Sequence, residues 1–509
     1  MNAKSQDKVY LNVPLSSQAP ILSWDAEHRQ RIVQGALRVL AEVGLRIEGS
    51  DNLRMVERAG GNVVWEDGTV RLKPEQVRSV AAKLAADSPH EPQQRRMAEG
   101  PPQSFGVGNG GSLYFDWDRW QARGATREDL RDLALWAEGS PKVATSHQYC
   151  LVQEQGLNPV LQIADSFAIM FQHSTKPVYF DQPKYPIHVR YLKRLQELQR
   201  ARGYHQDIPR FEWVNPPLTL SSRALAAVLE RVDQGVDPVG MGCMTMAGMA
   251  APITGAGFAV MATAELLAGL SVLHLLRPQA QLSAAMLGGL VDMKNGRISY
   301  QTPWMAAAHY LVVDVFRSEF GAQLSYNRAY RDANEPGMQA CYEWALLNMF
   351  HGCLDGTFGS EVGGLANGNL FSPEQAVIDM EMAADASQFF TGFACEDEDA
   401  AVEVILEARH KSKAYMEHPH TLNHFRESLA YSDWWLRGLP AAARHDPASS
   451  QSERLLAQAH EAALSARKAG EQRLADQGPA HQDLAKQCWR VVAEMAKEIG
   501  CPAPRPLGR

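Results

Sequence analysis

From residue 142 to residue 361 the chain repeats one pattern, in which a short apolar run and a turn lead into a helical segment. The strand candidates are 142–153 (KVATSHQYCLVQ), 177–182 (PVYFDQ), 209–216 (PRFEWVNP), 238–246 (PVGMGCMTM), 280–288 (AQLSAAMLG), 322–329 (AQLSYNRA) and 353–361 (CLDGTFGSE). Helical segments at 157–173, 187–202, 220–234, 255–276 and 336–351 lie between them. Parallel strands need a long crossover, and a helix is its usual form. The repeated units therefore predict a parallel sheet covered by helices. Seven strands are legible and an eighth is expected near 300–305, which favours a closed (β/α)8 barrel, an α/β fold, over a doubly wound open sheet.

The flanks read differently. Residues 1–24 form a polar tail with no apolar signal core. Residues 25–112 hold a small α+β subdomain and a linker. Asp25 is placed to cap a helix whose apolar side carries Ile32, Ala36, Leu37, Leu40 and Val43, and Asp67-Gly68 marks a hairpin turn. Pro74 opens a second helix, and the Gly/Pro-rich stretch 91–112 reads as a linker or flap. The core spans 113–430, and 431–509 is a helical extension expected either to cover the barrel or to mediate self-association as a homo-oligomer.

Composition narrows the function classes. The chain has 509 residues, is 45% hydrophobic and carries a formal net charge of −8, with no long Lys/Arg block, so a nucleic-acid role is not expected. Seven scattered cysteines without a CxxC pair argue against a disulfide framework or a zinc ribbon and fit a reducing cytoplasm. Residues 238–264 carry no charge, yet Gly, Ala, Thr and Met dominate, Pro252 interrupts and Glu265 follows. That composition predicts a buried strand, a loop and a closely packed helix, with no membrane span.

Two motifs are incomplete. Gly255-Ala-Gly257 opens a helix as a dinucleotide fingerprint does, but Val260 replaces the third glycine and no GK[ST] follows. His418, His420 and His424 lie within seven residues and the last two are one helical turn apart, a spacing able to share a metal. No acidic third ligand is evident and Thr421 resembles a helix cap, so no metal is expected. The aromatics are more telling. Alternation places Phe211, Trp213 and Asn215 on one strand face, with Phe180 near the end of its own strand. Trp304, Tyr326, Tyr330 and Phe358 are candidates to join them around a pocket at the C-terminal ends of the strands, and such rings attract an organic cation.

Four segments in order carry a family resemblance. MGCMTMAGMAAPITGAGFAV (241–260) resembles the P-M-x-M-A-G-x-x-A-P-V-T segment of the trimethylamine methyltransferase superfamily. HPHTLNHFRES (418–428) is similar to its H-P-H-T-L-x-H-F signature. ALRVLAEVGLRIEGSDNLRMVERAG (36–60) resembles its N-terminal opening, and DANEPGMQACYE (332–343) its D-A-x-x-P-D-x-Q-A-G-Y-E segment. The resemblance implies a (β/α)8 barrel that moves a methyl group from an amine to the cobalt of a corrinoid (cobalamin) carried by a separate protein. Asn334 falls where archaeal relatives carry pyrrolysine, so the resemblance points to a non-pyrrolysine member acting on a quaternary amine such as glycine betaine. Gly337 departs from the family's Asp, Cys341 from its Gly and Phe358 from a His of the last strand.

The chemistry fits that expectation. A quaternary nitrogen leaves as a neutral tertiary amine when its methyl group is displaced, so the site must position its donor and needs no general base. Asn334, a neutral amide, offers neither nucleophile nor proton, and is the candidate catalytic residue. Gln339 and Glu343 follow it on the next helix and complete the candidate substrate-binding set. The alternatives are demethylation of a tertiary amine or sulfonium, and a non-catalytic binder of quaternary ammonium compounds.

Overall fold

A computed structural model describes residues 24–88, 105–107, 111–147, 156–300, 302–326, 330–355, 361–391, 401–411, 415–428, 434–435 and 451–508. Phe358, Cys150, Cys395 and the tail before Trp24 lie outside the described residues. The fold is mixed α/β. Strands Phe105–Val107, Val143–His147, Val178–Tyr179 and Glu361–Val362 form one parallel sheet in which the last strand pairs with the first. Strands Phe211–Val214, Val239–Cys243, Leu282–Met286 and Ser325–Tyr326 form a second parallel sheet in chain order. Eight parallel strands are thus present. Among the described residues, however, no ladder joins the two sheets, and the closed barrel expected from the repeats is not seen in the hydrogen bonding. The strands at both seams are short, which leaves few backbone groups to pair across them.

Buried arginines occupy both seams instead. Arg231, 0% exposed, donates to Pro183 O after the third strand, to Pro209 O and to the Glu212 carboxylate on the fourth, at 2.9–3.1 Å. Arg331, 1% exposed, follows the seventh strand; it donates to Gly364 O beyond the eighth and binds Asp379 through two nitrogens at 2.9 and 2.7 Å. The planar guanidinium supplies several donors in a fixed fork, so one side chain holds several carbonyl and carboxylate groups in register.

The strand missing from the seven read in the sequence is not near 300–305, where a helix starts at Pro303 capped by Thr302. It is Phe105–Val107, within the stretch read as linker. Three residues between glycines and prolines carry too little apolar periodicity to reveal a strand.

The N-terminal module folds as read at its start. The Asp25 carboxylate accepts from His28 N at 2.8 Å, and Ile32, Ala36, Leu37 and Leu40 are buried. Val43, expected on that face, is exposed at the helix end. The module shares one core with the second sheet. Its helices Ala26–Glu42 and Pro74–Asp87 pack on the helix Gly255–Leu276, whose other side meets Val214 and Met241 through Gly269. That helix is long and apolar enough to cross a membrane, but here 72% of its most apolar window is buried. A helix covered on opposite sides is apolar all round.

The C-terminal helices Gln451–Ala475 and Pro479–Glu498 cover helices Arg127–Gly139 and Gln162–His173 outside the first sheet. Gly139 and Gly470 meet at the crossing. A Cβ on Gly139 would lie 1.7 Å from Ala466 O, and one on Gly470 1.8 Å from Leu135 O. Of the two roles expected for this extension, covering the fold is the one the structure displays.

Candidate active site

Alternation sorts the strand side chains into a face turned to the helices and an inner face. Val214 and Met241 contact the helix layer at Gly269, while Glu212 faces Arg231. Phe211 and Trp213 therefore lie on the inner face. Their neighbours there are Gly240 and Gly242, where an added Cβ would meet Phe211 Cδ1 at 2.6 Å and Trp213 Cε3 at 2.5 Å. The two glycines allow the rings to lie flat on the sheet. Ser283 stands beside them, its buried Oγ without a hydrogen-bond partner among the described residues.

The first sheet adds charge. Phe180 is 2% exposed and stacks on Phe167 of a covering helix at 4.8 Å, so Tyr179 and Asp181 point the other way. Val362 belongs to the helix-side core, which puts Glu361 on the inner face, in register with Gly106. Burial pushes the Asp181 carboxyl up to about 6 and the Glu361 carboxyl up to about 7. Tyr330, beyond the last strand of the second sheet, feels both: burial first, then Glu361, Tyr300 and Asp181, raise its phenol well above the usual range. Tyr300 packs edge-on against it at 5.5 Å. The inner faces thus carry aromatic rings and two carboxylates.

The expected residues distribute as follows. Trp213 and Tyr330 stand in this arrangement. Phe180 and Tyr326 do not, because each sits one residue out of phase. Tyr326 turns to the helix layer, its hydroxyl 3.2 Å from His351 Nδ1 and its ring beside His309. Asn215 is exposed and its backbone pairs with Thr219 in the turn that follows. Trp304 lies at the rim, 38% exposed, near Gly255.

Residues 330–337 form a loop braced by the start of the helix Met338–Asp355. The Glu343 carboxylate accepts from Ala333 N at 3.0 Å and from Gln339 Nε2 at 2.7 Å, Gln375 Oε1 accepts from Gly337 N at 3.0 Å, and Trp120 Nε1 donates to Glu335 at 3.2 Å. Gln339 and Glu343 therefore shape the backbone that carries Asn334, itself exposed. Gly337 adopts φ 139°, a conformation that favours glycine over the Asp expected there.

Asp181 and Glu361 were missed. Both stood at or next to the end of short strand candidates, where an acid reads as a turn residue; the available signal was their parity with Tyr179 and opposite Val362 in otherwise apolar runs. The histidines give no cluster. His418 Nδ1 accepts from His420 N at 3.1 Å and its Nε2 faces Glu407 at 3.7 Å, while among the described residues no group of three potential ligands converges. Thr421 lies inside the helix Pro419–Ser428 and is not its cap. The Gly255 and Gly257 pair serves packing, with Gly257 against the Pro252 ring and Thr254 capping the helix.

An apolar rim surrounds the same end of the second sheet. Met249, Ile253, Met293, Trp304, Met338 and Tyr342, 38–80% exposed, all follow C-terminal ends of its strands. Substrates of parallel α/β proteins bind outside the C-terminal strand ends, so the architecture is that of an α/β enzyme. The sequence profile described as "Trimethylamine methyltransferase (MTTB)" matches residues 2–434. The chain belongs to this trimethylamine methyltransferase family and is a methyltransferase. A Desulfitobacterium hafniense protein named trimethylamine methyltransferase MttB is 22% identical over 408 residues, 79% of this chain and 81% of that protein. Namesakes from Methanosarcina barkeri and Methanosarcina thermophila are 27% and 25% identical over 190 and 189 residues, 37% of this chain and 38% and 39% of theirs.

Proposed function

We propose that the protein transfers a methyl group from a quaternary amine to the reduced corrinoid of a separate protein, and that its two sheets are the halves of a (β/α)8 barrel enclosing the donor. The observation that carries this reading is the inner face of the second sheet, where Phe211 and Trp213 lie over Gly240 and Gly242. Ring faces attract an alkylammonium group by about 0.5–2 kcal/mol each, and more as water is excluded. The seam arginines and the shared influence of Glu361 and Asp181 on Tyr330 support closure.

The acceptor corrinoid supplies the electron pair that takes the methyl group; the C–N bond breaks and its electrons stay on nitrogen, which departs neutral. This chain supplies orientation and dryness. The rings fix the ammonium, and the braced 330–337 loop holds Asn334 at the mouth through which the methyl group must leave. No proton is moved, so the site needs no base. The exposed rim fits a partner protein that covers the mouth, since a large apolar patch at a functional end marks an interaction surface.

The test is spectrophotometric. Incubating the protein with quaternary amines and a Co(I) corrinoid protein should shift the corrinoid absorbance to that of the methyl-Co(III) form. Absence of a shift with every quaternary amine, together with a shift from a tertiary amine, would overturn the reading.

A further inference from the structure

The loop that carries Asn334 is fixed at alternate residues. Before Asn334, Arg331 O accepts from Asn367 N at 2.6 Å and Ala333 O from Ala366 N at 2.7 Å. After it, Glu335 meets the exposed Trp120 indole, and Gly337 N donates to Gln375 Oε1 at 3.0 Å. Gln375 is 0% exposed, in the first turn of the helix Pro373–Thr391, and its Nε2 donates to Asp379 Oδ1 at 2.8 Å one turn later. The same Asp379 carboxylate binds both Arg331 nitrogens and accepts from Gly363 N at 2.8 Å. Both ends of the loop thus converge on one buried carboxylate, Arg331 directly and Gly337 through the Gln375 amide. The chemistry of the two partners dictates the amide. A backbone N–H only donates and an ionised carboxylate only accepts, so a glutamine in one orientation satisfies both. Glutamate would set a second negative charge against Asp379, and methionine would leave Gly337 N without its acceptor. Displacing a reacting group by about 1 Å can slow a reaction about a hundredfold, so the anchors of this loop bear on the rate as well as on the fold.

We propose that Gln375 is a positioning residue for methyl transfer, acting through the 330–337 loop on Asn334 without touching the donor. The inference rests on the methyl-transfer reading and on the role of Asn334 in it. Gln375→Met, similar in length and shape, removes both polar ends in the full chain. Hydrogen exchange read by mass spectrometry should show the amides of 333–337 exchanging at least tenfold faster in this variant, while the helices Gly255–Leu276 and Gln162–His173 keep wild-type protection. Unchanged exchange in the loop would overturn the proposal. If melting curves show Q375M unfolded, Gln375→Asn takes its place, its amide one methylene too short to span Gly337 N and Asp379. The kinetic arm uses a quaternary amine and a Co(I) corrinoid protein. The variant should lower kcat about tenfold with the donor KM within twofold of wild type, and the double variant N334A/Q375M should be no slower than N334A alone. A raised KM with unchanged kcat, or effects of the two substitutions that multiply, would overturn the positioning role. The two claims separate. Transfer at wild-type rates in Q375M keeps the reaction and removes this role, whereas wild-type protein that transfers from no quaternary amine removes the reaction and leaves hydrogen exchange to decide whether Gln375 fixes the loop.

Discussion

Asp181 and Glu361 are carboxyls held in surroundings that oppose their ionisation, with folded values of about 6 and 7. An unfolded carboxyl titrates near 4. Because the folded values are raised, the folded chain binds more protons between these limits; the associated stability is complete below about pH 4 and is lost as pH rises through about 7. E361Q should therefore raise the melting temperature relative to wild type at pH 8 and leave it nearly unchanged at pH 3, where both states of the wild type are largely protonated. Differential scanning calorimetry at the two pH values checks this. Asn334 differs in kind: it is exposed, and its replacement by Ala should cost less than about 0.5 kcal/mol of stability, while lowering turnover about tenfold, equivalent to about 1.4 kcal/mol. Unfolding and initial-rate measurements on one variant separate the two effects. Asn334 was named from the sequence, but the two acids were not legible in residue type alone, since a single acid near the end of a short strand looks the same whether it faces water or the interior.

Elements were legible where their periodicity was long. The helix Gly255–Leu276 falls on its expected bounds, because 22 apolar residues without a proline leave no alternative, and Pro186 and Ser221 sit where helix starts need them. Strands two or three residues long were placed only to within a few positions, and an error of one residue exchanges faces. That explains why Phe180 and Tyr326 were expected at the pocket and lie in the helix layer. The strand Phe105–Val107 escaped notice altogether. Contacts made by absent atoms are also invisible in a sequence. The crossing of Gly139 and Gly470 is one, and it predicts that Gly470→Ala, with its new methyl group meeting a main-chain carbonyl that cannot retreat, destabilises by about 3 kcal/mol. Urea unfolding would measure the loss.

At the scale of the whole molecule, two half-sheets are drawn together by buried guanidinium groups at both seams. Removing one partner of such a buried pair leaves an uncompensated charge, so Arg331→Met should cost about 3–5 kcal/mol in denaturant unfolding. It should also loosen the loop that presents Asn334, because Arg331 O accepts from Asn367 N and the neighbouring Ala333 O from Ala366 N. Each sheet carries its own part of the candidate site, aromatic rings on the second and carboxylates on the first. The central claim is that a quaternary donor gives up one methyl group to the corrinoid. Single turnover with a donor labelled with 13C in its N-methyl groups tests it most directly. One equivalent of labelled methylcorrinoid is expected for each equivalent of tertiary amine released, at a rate that falls in Trp213→Ala. Tertiary amine formed without label on cobalt, or labelled methylcorrinoid formed at an unchanged rate in that variant, would contradict it.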